Sequence, residues 1–566
     1  MKASDYIVKF LIQKGVTDVF GYPGGMVTHL MDSFHHAEGI KAHVCYHEQG
    51  AAFAACGYAQ SSGKLGVAYA TSGPGATNLI TGICNAFFDS VPVLFITGQV
   101  NTFEAKGNLN VRQRGFQETD IISMTKSVTN YAHYVTSTDD LMEALENAFC
   151  SAMSGRKAPV LLDIPMNIQR QEIDDEKAQQ MLSAQKEIPL AKCADVQQIA
   201  DRLNQAKRPV LLLGAGFKQN CPVQELEQFL ELTHLPVVTS MIAFDIASEY
   251  PYHYGFLGAY GVRSANWITA KSDLLISLGA RLDVRQVGSI RENFAPDAQI
   301  IRVDIDENEL AYGIRNEDIN ICADAGNVIR QLQKCGIQQV SDEWLTVCET
   351  IRKKVAGIDN GLPNEIIAKI SDMIPDSAVI TTDVGQNQVW IAQSFACKKN
   401  QKVLFSGGHG AMGYSLPAGI GAYFGTRKPV ISISGDGGFQ MNLQELEVIR
   451  REQLPITIIV LNNQSLGMIR HFQQMYFEER YMQTTPSSGY TAPPFDKIAD
   501  AYGMDYYCIR SAEELREEFF NSQKPVFIEI RLEEATFVFP KLRFGNPNQD
   551  QEPLLDRDLY EELMAL

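Results

Sequence analysis

Ile431–Ser434 reads as a strand that passes directly into Gly435-Asp436-Gly437-Gly438, and a second strand, Ile456–Leu461, ends at Asn462-Asn463. A carboxylate and an amide, 27 residues apart, are thereby delivered to the C-terminal ends of two strands. That is where open parallel sheets bind ligands. Carboxylate, amide and backbone carbonyl oxygens are hard ligands that suit Mg²⁺. The glycines let backbone approach a diphosphate, and a helix start offers unpaired N–H donors. Either turn alone would be an ordinary strand end, because Asp-Gly and Asn-Asn are common turn sequences. Their conjunction points to a metal-bridged diphosphate.

Other stretches say less when taken singly. Thr71-Ser72-Gly73-Pro74-Gly75-Ala76-Thr77-Asn78 reads as strand, turn and helix, with glycines that admit close backbone approach. Leu211-Leu212-Leu213-Gly214-Ala215-Gly216 is a strand running into a glycine turn. It is a weak dinucleotide signal, since no complete GxGxxG follows. Taken alone, Glu48 is a solvated acid, Met412 a core filler and Arg285 an exposed cation. His35 and His36 lie on a helix-like stretch and read as solvated.

The elements that must position these residues alternate short apolar runs with longer amphipathic stretches, an α/β pattern. Strands are predicted at Gly66–Ala70, Val91–Thr97, Val160–Ile164, Val210–Leu213 and Leu274–Leu278. Further ones fall at Ile300–Ile305, Ala378–Thr382, Val430–Ser434, Ile456–Leu461 and Val526–Ile530. Runs apolar on both faces suit parallel strands covered by helices. A helix is predicted over Asn442–Glu452. Polar stretches at Asn167–Pro189 and Lys353–Asn364 read as linkers. They divide the chain into domains at 1–166, 187–340 and 362–535, followed by a polar segment, 536–566, that reads as an arm or lid.

With 49 basic and 67 acidic residues the chain carries a net charge of −18. Such a chain is a poor partner for nucleic acid or anionic lipid. The N-terminus has charges where a signal peptide is apolar, and no run approaches the ~18 residues of a membrane span. The eleven cysteines form no CxxC and no zinc spacing. These features predict a reduced, cytoplasmic protein without nucleic-acid or membrane partners.

Taken together, the segments resemble the acetolactate (acetohydroxyacid) synthase-like branch of the thiamine diphosphate (ThDP) enzymes, from about Tyr6 to Pro547. GDGGF…LNNQSLGM is similar to that family's diphosphate-and-metal motif. The resemblance implies three α/β domains, each a parallel sheet flanked by helices: pyrimidine-binding, central and diphosphate-binding. It implies Mg²⁺ held by Asp436, Asn463 and the Ser465 carbonyl, with Gly435, Gly437, Gly438, Gly467 and Met468 around the cofactor. Gly385, Gln386, Asn387 and Gly410 match the other ThDP loops, and Met412 matches the residue that bends the cofactor. In the first domain the resemblance sets Glu48 against the pyrimidine, where its carboxyl drives the proton transfer that activates the cofactor. Pro23, Pro74 and Asn78 border the cofactor there. Gly25, Phe116 and Gln117 face the substrate with Met468 and Phe472, and Arg285 receives the acceptor. Gly214, Gly216, Gly258, Gly261, Gly279 and Arg281 resemble an FAD-binding domain, with Arg156, Asp306 and Asp324 as further contacts. The FAD so implied is structural rather than redox-active.

The implied reaction is decarboxylation of pyruvate, or a similar 2-oxo acid, and ligation of the two-carbon unit to an acceptor ketone. It would run in a homo-oligomer with active sites at the subunit interface. Related alternatives are a carboligase with another acceptor, such as a sugar-nucleotide ketone, and an FAD-dependent pyruvate oxidase. The chain departs from the family pattern at several positions. Asp283-Val284-Arg285 has lost one acid, Asn387 replaces a histidine, Asn130 a lysine, His409 a leucine and Phe472 a tryptophan. Pocket changes of this size alter acceptor choice, by about 1–3 kcal/mol, more readily than they abolish chemistry.

Overall fold

Ten of the apolar runs do form parallel strands, and eight more strands join them to make three separate sheets. A computed structural model of the chain describes residues 1–183, 196–220 and 223–566. The first sheet contains β1 (Asp18–Gly21), β2 (Lys41–Val44), β3 (Gly66–Ala70), β4 (Val93–Gln99), β5 (Tyr131–Tyr134) and β6 (Val160–Pro165). The second contains β7 (Pro209–Leu213), β8 (Val237–Thr239), β9 (His253–Phe256), β10 (Leu274–Leu278), β11 (Gln299–Asp304) and β12 (Ile319–Cys322). The third contains β13 (Val379–Thr382), β14 (Lys402–Leu404), β15 (Val430–Gly435), β16 (Ile456–Asn462), β17 (Asp505–Ile509) and β18 (Val526–Arg531).

The strand orders are β2-β1-β3-β4-β6-β5, β12-β11-β10-β7-β8-β9 and β14-β13-β15-β16-β18-β17. Counted from its own first strand, the third sheet repeats the order of the first. The central sheet has the doubly-wound order of dinucleotide-binding folds. Among the described residues, no helix is long and apolar enough to cross a membrane.

The first and third domains meet where two helices cross. Each follows the second strand of its sheet: Glu48–Ser62 and Ser415–Thr426. Both are rich in alanine and glycine and almost wholly buried. A Cβ on Gly57 would fall on the Ala418 carbonyl, and one on Gly421 on the Ala54 carbonyl. The two backbones therefore touch, and neither position has room for a side chain. Beside the crossing, buried His43 stacks on Phe424 at 3.7 Å and pairs with Asp18 at 2.8 Å, and Arg427 reaches the same carboxylate at 2.9 Å.

Four expectations need correction. The stretch from Asn167 is not free linker: helices Met166–Gln169 and Asp175–Ser183 bury Ile168, Ala178 and Leu182 against the first domain. Its remainder from residue 184, with the boundary at 187, lies outside the described residues. The stretch from Lys353 is shorter than expected, because helix Asp342–Val355 runs into it. Asn442–Glu452 is not one helix but a 3₁₀ turn, Leu443–Glu445, followed by helix Leu446–Glu452. The final segment is not a detached arm or lid: Leu555 and Leu563 complete the core around Trp267 and Trp344 in the central domain.

Replacing Gly421 by leucine should lower the thermal unfolding midpoint, by about 1–3 kcal/mol or more of stability. Gly25→Ala is the control, since its added Cβ meets nothing within 4 Å, and should leave the midpoint unchanged.

Candidate active site

In the first domain the predicted residues gather at the C-terminal ends of β1, β2, β3 and β4. Glu48 opens its helix, 8% exposed, and its Oε2 accepts a 2.9 Å hydrogen bond from Asn78 Nδ2. Pro74 starts the short helix Pro74–Asn78, where its missing N–H costs nothing. A Cβ on Gly75 would stand 3.2 Å from Glu48 Oε1, so small size there keeps the carboxylate accessible. Gly73 (φ +64°) faces Gln117, itself in the left-handed region at φ +63°. A non-glycine residue held there is strained backbone of the kind found at functional sites. Glu118 accepts from the N–H groups of Lys106, Arg114 and Gly115 and so shapes this loop. Phe116 is 78% exposed, and Pro23 and Gly25 are exposed with it.

In the third domain Asp436 ends β15 almost fully buried. Its Oδ1 accepts from Gly437 N at 2.7 Å and Tyr490 OH at 3.1 Å, while its Oδ2 is buried without a partner. Burial pushes this carboxyl up to about 6, although Tyr490 and the backbone N–H groups of Gly437, Gln464 and Ser465 favour the charged form. Asn463 donates to Gln386 Oε1 at 3.1 Å and accepts from Ser465 N at 3.2 Å. Asp436, Asn463, Ser465 and Gln386 thus converge, and the orphaned carboxylate oxygen is what a bound divalent cation would satisfy. Among the described residues, no group of three or more His, Cys, Asp or Glu side chains offers another metal site.

The glycines of this domain divide into two kinds. Gly437 is crowded by Leu466 and Tyr490, Gly438 by Asp383, and Gly467 by Gln386. Gly385 (φ +134°), Gly410 and Gly435 are not crowded, since a Cβ there would meet nothing nearer than 3.5 Å, and a ligand's diphosphate could approach backbone there. Asn387 Nδ2 lies 3.5 Å from a Cβ on either Gly385 or Gly435, so this departure from the pattern sits between two ligand-facing loops. Half-buried Met412 approaches Gly437. His409 stacks on Phe88 at 5.6 Å.

In the central domain the predicted glycines are packed against neighbouring backbone. Gly214, Gly216 and Gly279 pack on one another's backbone, with Gly216 N bonded to Gly279 O at 2.9 Å. Gly258 and Gly261 are likewise closed in by neighbouring backbone. Arg156 is engaged by Asp306 at 2.8 Å and Glu309 at 2.7 Å. Arg281 pairs with Asp283, and Asp324 caps helix Ala325–Leu332. The sheet order fits a dinucleotide, but the polar groups assigned to FAD are paired with protein. Arg285 is exposed, its guanidinium 5.9 Å from the Tyr260 ring. Phe472, on helix Gly467–Tyr476 with half-buried Met468, packs on Tyr476. His35 and His36 are exposed, as expected.

Sequence reasoning missed three buried charged groups. Asp383 accepts from Gly413 N and Ser415 N and anchors the loop before the crossing helix. Glu445 accepts from Tyr46 N at 3.0 Å and His47 N at 3.1 Å, tying the third domain to the start of the Glu48 helix. Lys541 is 4% exposed. On helical or turn periodicity all three read as surface charges, and no local signal distinguishes them.

Three consecutive segments match domains of the thiamine pyrophosphate enzymes. These are the N-terminal TPP binding domain over residues 1–124, the central domain over 196–332 and the C-terminal TPP binding domain over 383–530. The chain belongs to this family, on its acetolactate synthase-like branch. It is 36% identical over 560 residues to the acetolactate synthase isozyme 2 large subunit of Escherichia coli (strain K12), covering 97% of this chain and 99% of that one. It is 33% identical over 571 residues to the acetolactate synthase large subunit of Lactococcus lactis, covering 99% and 97%. The large subunit of Corynebacterium glutamicum is 36% identical over 570 residues, covering 97% and 90%. The chain is therefore a ThDP-dependent enzyme of the transferase type that couples decarboxylation to carboligation.

Burial pushes the Glu445 carboxyl up to about 7 from an ordinary 4.5. A carboxyl raised on folding favours the folded state below about 4.5, and that contribution is lost as pH rises through about 7. Glu445→Gln keeps an acceptor for both N–H groups. Its unfolding midpoint should match the parent's at pH 4.5 and exceed it above pH 7, read by thermal denaturation across that range.

Proposed function

We propose that the enzyme decarboxylates pyruvate, or a similar 2-oxo acid, and transfers the two-carbon unit to an acceptor ketone. The observation that carries this reading is the two-part site: the Glu48–Asn78 pair in one domain and the orphaned Asp436 oxygen beside Asn463 in another. ThDP, when bound, supplies the electron sink that lets CO₂ leave and the new carbon–carbon bond form. Asp436, Asn463 and the Ser465 carbonyl would hold Mg²⁺ on its diphosphate. Gly385, Gly410 and Gly435 would admit the phosphates, and Met412 would support the cofactor from below. Glu48, held by Asn78, would exchange a proton with the pyrimidine. Gly25 and Phe116 would face the substrate, and Arg285, Gln117 and Phe472 would hold the acceptor. FAD is proposed as a structural ligand of the central domain, supported by its sheet order, and enters no step.

Two chains are proposed to complete each site. Among the described residues, no hydrogen bond joins the Glu48–Asn78 pair to the Asp436–Asn463 cluster within one chain. Exposed Phe103, Leu109, Val111, Phe116 and Met124 border the Glu48 side, an apolar patch that suits a second copy. A cytoplasmic setting accords with the nine described cysteines, all free thiols.

Incubation with pyruvate, ThDP and Mg²⁺, with and without FAD, followed by product identification, tests the reading. Acetolactate or another ligation product is expected. Free acetaldehyde alone would overturn ligation, and absence of CO₂ would overturn pyruvate as donor. Glu48→Gln should lower kcat by at least ~10²–10⁴. Asp436→Asn should raise the Mg²⁺ concentration for half-maximal activity by about 10–100-fold or more.

A further inference from the structure

Lys541 is buried to 4% exposure, yet its ammonium has no hydrogen-bond partner. An ammonium carries three donors, and burying it unpaired is costly. Its neighbours are the rings of Tyr260, at 5.9 Å, and Phe472, at 5.7 Å. Both distances lie at the outer edge of the cation–π range and cannot replace hydrogen bonds. Burial lowers Lys541 to about 8, so it remains mostly charged at neutral pH. No carboxylate compensates it. Glu552 exchanges backbone hydrogen bonds with Lys541, and its carboxylate lies 3.9 Å from Arg543. His471 on the other side is held neutral, down to about 4, by burial and then by Lys541 itself.

The second cation at this place is Arg285, 5.9 Å from the same Tyr260 ring. The backbone holds the two in register: Ala259 N donates to Arg285 O at 2.8 Å, and Leu542 N donates to Ala259 O at 2.7 Å. Two positive charges from distant parts of the sequence are therefore held around one ring, and among the described residues no carboxylate pairs with Lys541. The way out to solvent is aromatic. Phe472 packs on Tyr476 at 4.7 Å and lies 6.2 Å from Phe544, which is 66% exposed.

We propose that Lys541 and Arg285 form a two-cation acceptor site and that the preferred acceptor is a carbonyl compound bearing two negative charges, such as a phosphorylated ketone or a dicarboxylic 2-oxo acid. This rests on the carboligase reading above. Arg285 takes one anionic group and Lys541, desolvated in advance and lacking hydrogen bonds, takes the other. Lys541 is thus a specificity-determining residue, and a monoanionic 2-oxo acid leaves one of the two cations unpaired.

The test compares three acceptors with pyruvate as donor: 2-oxobutanoate, 2-oxoglutarate and dihydroxyacetone phosphate. In the parent enzyme, kcat/KM for either dianion should exceed that for 2-oxobutanoate at least tenfold. Lys541→Met should erase that preference, and Lys541→Arg should retain it. Equal or better use of 2-oxobutanoate by the parent, or a preference untouched in Lys541→Met, would overturn the proposal. A purely structural lysine would move only the unfolding midpoint. Calorimetric binding of 2-oxoglutarate, which needs no turnover, should weaken at least tenfold in Lys541→Met. If binding behaves so but pyruvate yields no CO₂, the carboligase reading fails and the two-cation site stands.

Discussion

Much of this molecule depends on two helices whose backbones touch. Because Gly57 and Gly421 have no side chain, Glu48–Ser62 and Ser415–Thr426 cross at a separation no larger residue would allow. The Glu48 helix begins at the candidate catalytic carboxylate, and the Ser415 helix follows directly on the loop that carries Gly410 and Met412. The crossing therefore sets the angle at which both loops are presented. Glu445 reinforces it with hydrogen bonds to Tyr46 and His47, and Asp383 does so with bonds to Gly413 and Ser415. Both carboxyls are desolvated to hold backbone, which costs free energy that the surrounding packing must offset.

Glycine carries two different meanings in such a protein. Gly214, Gly216 and Gly279 are small because loops of the same domain press on them, and Gly437 and Gly438 because Tyr490 and Asp383 do. Gly385, Gly410 and Gly435 are different, since no neighbour comes nearer than 3.5 Å to a Cβ placed there. A glycine-rich turn in a sequence does not say which case applies. The central-domain turn was already the weaker signal as a string, and its glycines are the ones pressed by their own neighbours, whereas Gly385, Gly410 and Gly435 are not crowded.

Burial decides what was legible in the sequence. The ten strands read correctly are interior ones with continuous apolar runs. Six of the eight that escaped notice, β2, β5, β9, β12, β14 and β17, are the edges of the three sheets. An edge strand is half solvated and so lacks a continuous apolar run. The other two, β1 and β8, are only four and three residues long. In the site, residues inside motifs were found, whereas Glu445 and Lys541 were not. A charged residue becomes informative only when distant parts of the chain bury it, and nothing in its own neighbours in sequence announces that.

The C-terminal helix has a consequence for how the chain is made. Leu563 is fully buried in the central domain, and Tyr560 lies 5.1 Å from Trp267. The residues that close this core are thus made long after the sheet they cover, hundreds of residues later in the sequence. At ~5–20 residues per second, synthesis of the intervening chain takes roughly 15–60 s. Throughout that interval the apolar flank around Trp267 stands bare while the third domain is being made.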